Sequence, residues 1–267
     1  TALVGPNGSG KTTLMQILSG LLPSSAGNVS INGTKVSSND LLGYSIMASS
    51  DRDFDNSSAA ALVAYASLRQ TWDQKLFDHY VQRFDFQLKG RKKLRKMSSG
   101  QAAILTATVA LASGAPITVL DEIQAPMDVP TRYAFYEELL SLAGDIMEGR
   151  RPWRTFLISS HMVSELENVA EDVVALKNGR LLAHEGVDEF TSRICAITGN
   201  AADVERFLAD HSDIAVITSR ALGSAREVIV DLRGRGVADH EIASHSLTAS
   251  PCSFQDAFAY LIQENDQ

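Results

Sequence analysis

The sequence predicts an α/β protein with a parallel sheet at its centre, and three short apolar runs carry that prediction. "TALVG" opens the chain as a buried-strand pattern, "ITVL" repeats it at Ile117–Leu120, and "TFLIS" forms an apolar strand shortly before His161. A glycine-rich turn follows the first run and two carboxylates follow the second. In a parallel sheet the carboxyl ends of the strands are the ligand-binding edge.

At 267 residues the chain is long enough for one large domain, or one domain and a smaller one. It is 45% hydrophobic and 21% charged, the composition of a folded globular chain. A net charge of -8 argues against a protein whose main work is to wrap nucleic acid, so no nucleic acid partner is expected. Cys195 and Cys252 have no His or Cys at ligand spacing and form neither a zinc site nor a disulfide framework, which points to a reducing compartment. No apolar run reaches the roughly 18 residues of a membrane span, and the chain reads as soluble by itself. "TALVG" has no methionine and nothing before it to begin a domain, so the natural N-terminus is expected to lie upstream.

The first strand runs into "GPNGSGKTTLMQIL", where Gly5, Gly10, Lys11 and Thr12 satisfy the phosphate-loop pattern G-x-x-x-x-G-K-S/T in full. Glycines let backbone N–H groups turn inward around phosphate oxygens. Lys11 supplies a positive charge at the β and γ phosphates, and Thr12 offers a hydroxyl to Mg²⁺. Leu14, Ile17, Leu18 and Leu21 have helical spacing, so a helix N-terminus points at the anion.

From about Asp51 to Leu94 the residues favour helix, with Leu76, Tyr80, Val81 and Phe84 on one face. "LKGRKKLRKM" then gathers basic residues between Lys89 and Lys96, read as a solvated turn, with anionic lipid or a partner's phosphate as the alternative. Ser98 and Gln101 form a capping-box pattern before an Ala-rich helix to Ala112. That geometry serves equally as a plain helix cap or as a second anion site, made by the serine hydroxyl, Gly100 and free helix N–H groups. After Ile117–Leu120 come Asp121 and Glu122. Alone, such a pair is an ordinary solvated strand end. Downstream of a phosphate loop, an Asp there holds Mg²⁺ through its water, and the next Glu orients and deprotonates an attacking water.

"MEGRRPWRT", Met147 to Thr155, reads as an exposed loop between helix and strand. Beyond Val187, "RICAITG", "DIAVITSR" and "EVIVDLRG" are strand-like, while "AADVERFLAD" and "SFQDAFAYLI" are helical. This makes a small α+β region. His211, His240 and His245 have no carboxylate or cysteine at ligand spacing, and surface or structural roles are expected of them.

In that order, the phosphate loop, "MSSGQ", "ITVLDE" and "LISSHMVSELENVAEDVVALKNGRLLAHEG" resemble the nucleotide-binding domain of an ABC transporter over roughly Thr1 to Gly186. The resemblance implies a phosphate-loop NTPase core of RecA-like type over residues 1–187, with an inserted helical subdomain at about 51–112 and an accessory α+β region at 188–267. Gly5, Pro6, Asn7, Gly8, Ser9, Gly10, Lys11 and Thr12 correspond to its Walker A motif, with Thr13 beside them. Met97, Ser98, Ser99, Gly100 and Gln101 stand where the family has L-S-G-G-Q. Asp121 corresponds to the Walker B aspartate, Glu122 to the catalytic glutamate and His161 to the switch histidine.

The resemblance further implies ATP and Mg²⁺ as cofactors, with Thr12 and Asp121 at the metal. Two cassettes would face head to tail, so that Ser98, Gly100 and Gln101 touch nucleotide bound by a second nucleotide-binding subunit and Asp128 reaches across the dimer. Glu122 would act as general base, with His161 and Lys11 at the γ-phosphate. A separate membrane permease would be the other partner, with the chain cytoplasmic and peripheral on the inner face of the membrane. "ASLRQTWDQKLFDHYVQRFDFQLKGRKKLRKMSSGQ" is similar to stand-alone cassettes of multidrug and antibiotic export.

Three departures stand out. Met47 or Ala48 lies where the family has a glutamine, with Ser49, Ser50 or Asp51 as candidate oxygens. "IQAPM" replaces the usual residues between Glu122 and Asp128. The segment with the family's adenine-stacking aromatic residue is not in this sequence, so these residues alone should hold adenine weakly. The alternative readings are an ATP-binding dimerisation switch with little hydrolysis and a non-transport ABC protein.

Overall fold

A computed structural model describes residues 1–50, 57–86, 88, 93–232, 242 and 244–264. The chain forms two compact units, Thr1–His161 and Met162–Gln267.

In the first unit, β1 (Ala2–Val4), β4 (Ser45–Ser49), β5 (Ile117–Asp121) and β6 (Thr155–Ser159) lie side by side in the order β4-β5-β6-β1, all parallel. The three runs that predicted a parallel sheet are therefore adjacent strands. Ala2, Leu3 and Val4 are wholly buried, as are Val119 and Leu120, which explains runs without alternation. β2 (Val29–Ile31) and β3 (Thr34–Val36) form a separate hairpin, turned by Asn32-Gly33 in left-handed conformation.

Helix α1 (Lys11–Leu18) follows the phosphate loop. Its one fully buried apolar side chain is Met15; Leu21, read in helical spacing with Leu14, Ile17 and Leu18, lies past the helix end and is exposed. α2 (Ser38–Tyr44) is closed by a capping box between Ser37 and Asp40. α3 (Ala59–Ala66) and α4 (Gln74–Arg83) lie within the stretch read as helical. On α4 the buried side chains are Phe77 and Tyr80, so the apolar face is centred slightly to one side of the Leu76–Val81 line. α5 (Ser99–Ala112) carries the predicted capping box, and Ala103 to Ala112 are buried except Thr106. α6 (Val129–Met147) is the last helix of the unit, before β6. Much of the basic run between Lys89 and Lys96 lies outside the described residues, as do Asp51 and His240; Lys93, Arg95 and Lys96 are exposed.

The segment from Met147 to Thr155 corrects a sequence expectation. Trp153 is exposed as predicted, but Arg154 is buried at 8% exposure. Its Nε donates to Ala115 O (2.9 Å), Nη1 to Leu111 O (2.8 Å) and Nη2 to Thr118 Oγ1 (2.9 Å). Burial pushes the guanidinium down to about 10, so it stays charged at neutral pH and the surrounding oxygens take the place of its water. A positive charge at the carboxyl end of α5 is also favoured by the helix dipole.

The same end of α5 is pinned by Thr71 Oγ1 donating to Ser113 O (2.7 Å) and Asp73 N donating to Ala112 O (2.8 Å). Gly114 turns the chain there with φ +65°, and a Cβ on it would come within 2.0 Å of Thr71 O. Gly114→Ala is therefore expected to destabilise the protein by about 2 kcal/mol or more, read as a lower urea midpoint.

The second unit contains α7 (Val163–Leu166), the hairpin β7 (Asp172–Lys177) and β8 (Arg180–Gly186), and α8 (Val187–Arg193). Then come β9 (Ile194–Asn200), α9 (Ala201–Asp210), β10 (Ala215–Leu222), β11 (Ala225–Asp231), β12 (Thr248–Pro251) and α10 (Phe254–Glu264). The last four strands form an antiparallel sheet in the order β10-β11-β9-β12, the strand order of a split β-α-β arrangement. Ile197, Val204, Phe207, Val228 and Val230 centre one core between this sheet and α9. Phe254 of α10 meets Phe190 of α8 edge-on at 5.5 Å. Among the described residues no helix is long and apolar enough to cross a membrane.

Candidate functional site

The carboxyl ends of the four parallel strands gather the site. β1 delivers the phosphate loop, Gly5 to Gly10. Gly8 (φ +76°) and Gly10 (φ +100°) take conformations that a side chain would resist, and Ser9 N donates to Pro6 O at 3.1 Å. Gly10 is the N-cap of α1, and among the described residues no side chain caps it. Ser9 Oγ is buried without a hydrogen-bond partner among the described residues. An orphaned buried hydroxyl beside uncapped helix N–H groups suits a polyphosphate. Lys11 is buried, its Nζ donating to Gly5 O (2.7 Å) and Pro6 O (3.2 Å), which holds the ammonium over the loop. Thr12 and Thr13 are exposed at the helix start.

Across the sheet, Ser49, Asp121 and Ser159 stand in one register row. Asp121 is 4% exposed, and its Oδ1 accepts from Ser159 Oγ at 2.6 Å. Glu122 follows with left-handed φ of +49°, its N donating to Ser159 Oγ at 2.9 Å. Its Oε2 lies 3.4 Å from Nδ1 of His161. The strand end thus turns one carboxylate into the sheet edge and the other towards the histidine. Hard oxygen donors at Thr12 and Asp121 fit Mg²⁺, and the described residues hold no group of three or more His, Cys, Asp or Glu able to cage a metal.

The "IQAPM" stretch is a compact turn, with Ala125 N donating to Glu122 O and Met127 N to Gln124 O, both at 3.0 Å. Ile123 and Gln124 are fully buried, and Gln124 Nε2 donates to Ser159 O at 3.0 Å. Asp128 caps α6, its Oδ1 accepting from Thr131 N at 2.9 Å, and the Thr131 hydroxyl and amide hold its carboxyl below the usual range. Met47 and Ala48 lie within β4, and Ser50 N donates to Asp121 O at 3.1 Å.

Ser98 and Gln101 bond to each other: Gln101 N donates to Ser98 Oγ (3.1 Å) and Ser98 N to Gln101 Oε1 (3.3 Å). In the single chain both side chains serve the helix cap. Gly100 meets the "IQAPM" turn, where a Cβ would lie 2.9 Å from Pro126 O. Sequence reasoning missed Ser159 and Gln124. The available signal was a polar residue closing the apolar run "TFLIS" two places before His161.

A parallel sheet whose strand ends present a glycine phosphate loop and an acidic pair defines the phosphate-loop NTPase class. Residues 1–125 match the family model described as ABC transporter. It is 28% identical over 189 residues to the Nod factor export ATP-binding protein I of Neorhizobium galegae, across 68% of this chain and 52% of that protein. It is 29% identical over 188 residues to the phospholipid-transporting ATPase ABCA3 of Mus musculus, across 68% of this chain and 11% of that protein. The chain therefore spans about half the length of the first relative and about a ninth of the second. Among solved structures, an ATP binding subunit of an ABC transporter superposes with TM-score 0.58 at 19% identity, covering 71% of this chain and 79% of that one. A dimeric ATP-binding cassette in a post-hydrolysis state with ADP and Pi gives TM-score 0.55 at 19% identity, covering 70% and 84%. The latter two likenesses concern the fold.

Proposed function

We propose that this chain is the ATP-binding and hydrolysing subunit of an ABC transporter, powering export through a separate membrane permease. The observation that carries the reading is the juxtaposition of Asp121, Glu122 and His161 at the strand ends of a sheet that also delivers the phosphate loop. Lys11, Ser9 and the N–H groups of α1 would bind the phosphates of ATP, with Gly5, Pro6, Asn7, Gly8, Gly10 and Thr13 shaping the loop. Thr12 and Asp121 would hold Mg²⁺, which when bound neutralises phosphate charge. Glu122 would take the proton of the attacking water, and His161, within reach of its carboxylate, would hold the γ-phosphate side of the site.

A second nucleotide-binding subunit, the same chain or another, would complete each site with its Ser98, Gly100, Gln101 and Asp128. Residues 188–267 would form an accessory region. The work would be done at the inner face of the cell membrane. A cavity of about 1170 Å³ in the first unit, lined by Leu21, Leu22, Leu42, Met47, Tyr65 and Leu68, offers a permease an apolar seat. Tyr65 and Leu68 are 79% and 78% exposed, more than a chain without a partner needs to leave open. Export of a multidrug- or antibiotic-like cargo is in keeping with a relative named for Nod factor export.

The test is phosphate release by the full-length protein co-expressed with its permease, which should require Mg²⁺. Lys11→Ala should weaken ATP binding at least about tenfold by equilibrium dialysis, because it removes the one buried cation of the loop. Tight nucleotide binding with negligible hydrolysis in the presence of the permease would favour the dimerisation switch, the reading motivated by Met47 and Ala48 in place of a glutamine. Co-purification with ribosomes would favour a non-transport role.

A further inference from the structure

We infer that Ser159 is the residue that fixes the placement of both site carboxylates, acting as a positioning residue for Glu122 and Asp121 together. The inference rests on the hydrolytic reading of the site. Ser159 ends β6 and is fully buried, at a place where the preceding Leu157 and Ile158 are apolar core residues. A buried hydroxyl in such surroundings is costly unless both its proton and a lone pair are engaged. Here both are engaged by the same turn of chain.

The hydroxyl has one proton, and it goes to Asp121 Oδ1 at 2.6 Å; the lone pair accepts from Glu122 N at 2.9 Å. The bonds therefore run in one direction, from the Glu122 amide through the Ser159 hydroxyl to the Asp121 carboxylate, and each polarises the next. With Oδ1 so occupied, Asp121 is held in one rotamer and Oδ2 becomes the oxygen available to a cation. The same residue's carbonyl oxygen accepts from Gln124 Nε2 at 3.0 Å, so the turn is tied to Ser159 at residues 121, 122 and 124.

Glu122 needs that tie because its φ of +49° is a conformation that a residue with a Cβ enters only under constraint. In an unconstrained strand end the backbone would relax to extended geometry, and the side chain would swing away from His161. Ser159 thus adds a tie from a neighbouring strand to the backbone hydrogen bonds that the "IQAPM" turn makes within itself. Gln124, whose Oε1 is buried without a partner among the described residues, is the second half of the lock.

The experiment uses the full-length protein and compares wild type, Ser159→Ala and Ser159→Thr in MgATP turnover, thermal unfolding and hydrogen exchange at the Glu122 amide. Ser159→Ala should lower kcat by about 10- to 100-fold with KM changed by no more than about threefold. It should also speed exchange of the Glu122 amide by about tenfold, since that N–H loses its acceptor. Ser159→Thr, which keeps the hydroxyl, should restore slow exchange and most of kcat. A Ser159→Ala protein with wild-type kcat, or with a Glu122 amide as protected as in wild type, overturns the inference. So does a loss of kcat that Thr leaves unrestored while the Glu122 amide stays protected. If the wild-type protein does not hydrolyse ATP, the hydrolytic reading fails by itself. The lock is then decided by exchange alone: a faster Glu122 amide in Ser159→Ala upholds it and an unchanged one overturns it.

Discussion

Glu122→Gln is expected to slow ATP hydrolysis by about 100-fold or more while leaving ATP binding within a few-fold of wild type. The substitution keeps the side-chain length and the amide that donates to Ser159 Oγ, so the turn at φ +49° and the Asp121 contact persist. What it removes is the oxygen able to take a proton from water beside His161, whose Nδ1 lies 3.4 Å from Glu122 Oε2. Phosphate release measured with the permease gives the rate, and equilibrium dialysis gives the affinity. Undiminished turnover would remove Glu122 from the role of general base. A parallel loss of binding would show that the carboxylate shapes the nucleotide site and does not act in the chemical step.

Arg154→Ala is expected to be the most damaging change away from the site, at about 2–4 kcal/mol of stability. Removing the guanidinium leaves Leu111 O, Ala115 O and Thr118 Oγ1 buried with fewer partners, and it opens the space the side chain filled between α5 and β5. The lost cation also stood at the carboxyl end of α5, where it favoured the helix dipole. Urea unfolding followed by circular dichroism gives the number. Arg150, four positions earlier, is the control: its side chain is 54% exposed and pairs with Asp145 and Glu148, so Arg150→Ala should leave the midpoint unchanged. Equal losses at the two positions would mean that the carbonyl contacts of Arg154 contribute little.

How much of this was legible beforehand follows from the range over which each interaction acts. The phosphate loop, the capping box of Ser98 and Gln101 and the strand before Asp121 are local patterns, written within a few consecutive residues. All three formed where the sequence placed them. The helical face on α4 was legible in kind but not in phase. Aromatic and aliphatic residues at 76, 77, 80, 81 and 84 wrap widely enough that tertiary contacts with α5 choose Phe77 and Tyr80. In α1 the leucines and Ile17 carry the helical spacing, yet the unbranched Met15 is the apolar residue that is fully buried.

Arg154 was hidden by its neighbours. A run with three arginines beside a proline and a tryptophan reads as surface, and its burial comes from carbonyl oxygens some forty residues earlier, at Leu111 and Ala115. Ser159 was hidden for the same reason, since nothing in "TFLIS" tells that its last hydroxyl faces two carboxylates on the adjacent strand. The loop and the strand ends that carry the proposed site were thus legible, while the contacts that aim its side chains were not. Those contacts are made between strands, and sequence spacing carries no record of register.

The close approach of Gly100 to Pro126 O has a consequence for how such chains can change over time. A side chain at position 100 would have to share the space now taken by the backbone of the "IQAPM" turn, with the nearest atom only 2.9 Å from the new Cβ. The two segments are therefore one inherited unit, although more than twenty residues of helix and strand separate them. Among homologous chains the turn should be free to vary only where position 100 stays glycine. Any lineage that enlarges that residue should be found to have redrawn the path between its Glu122 and Asp128 as well.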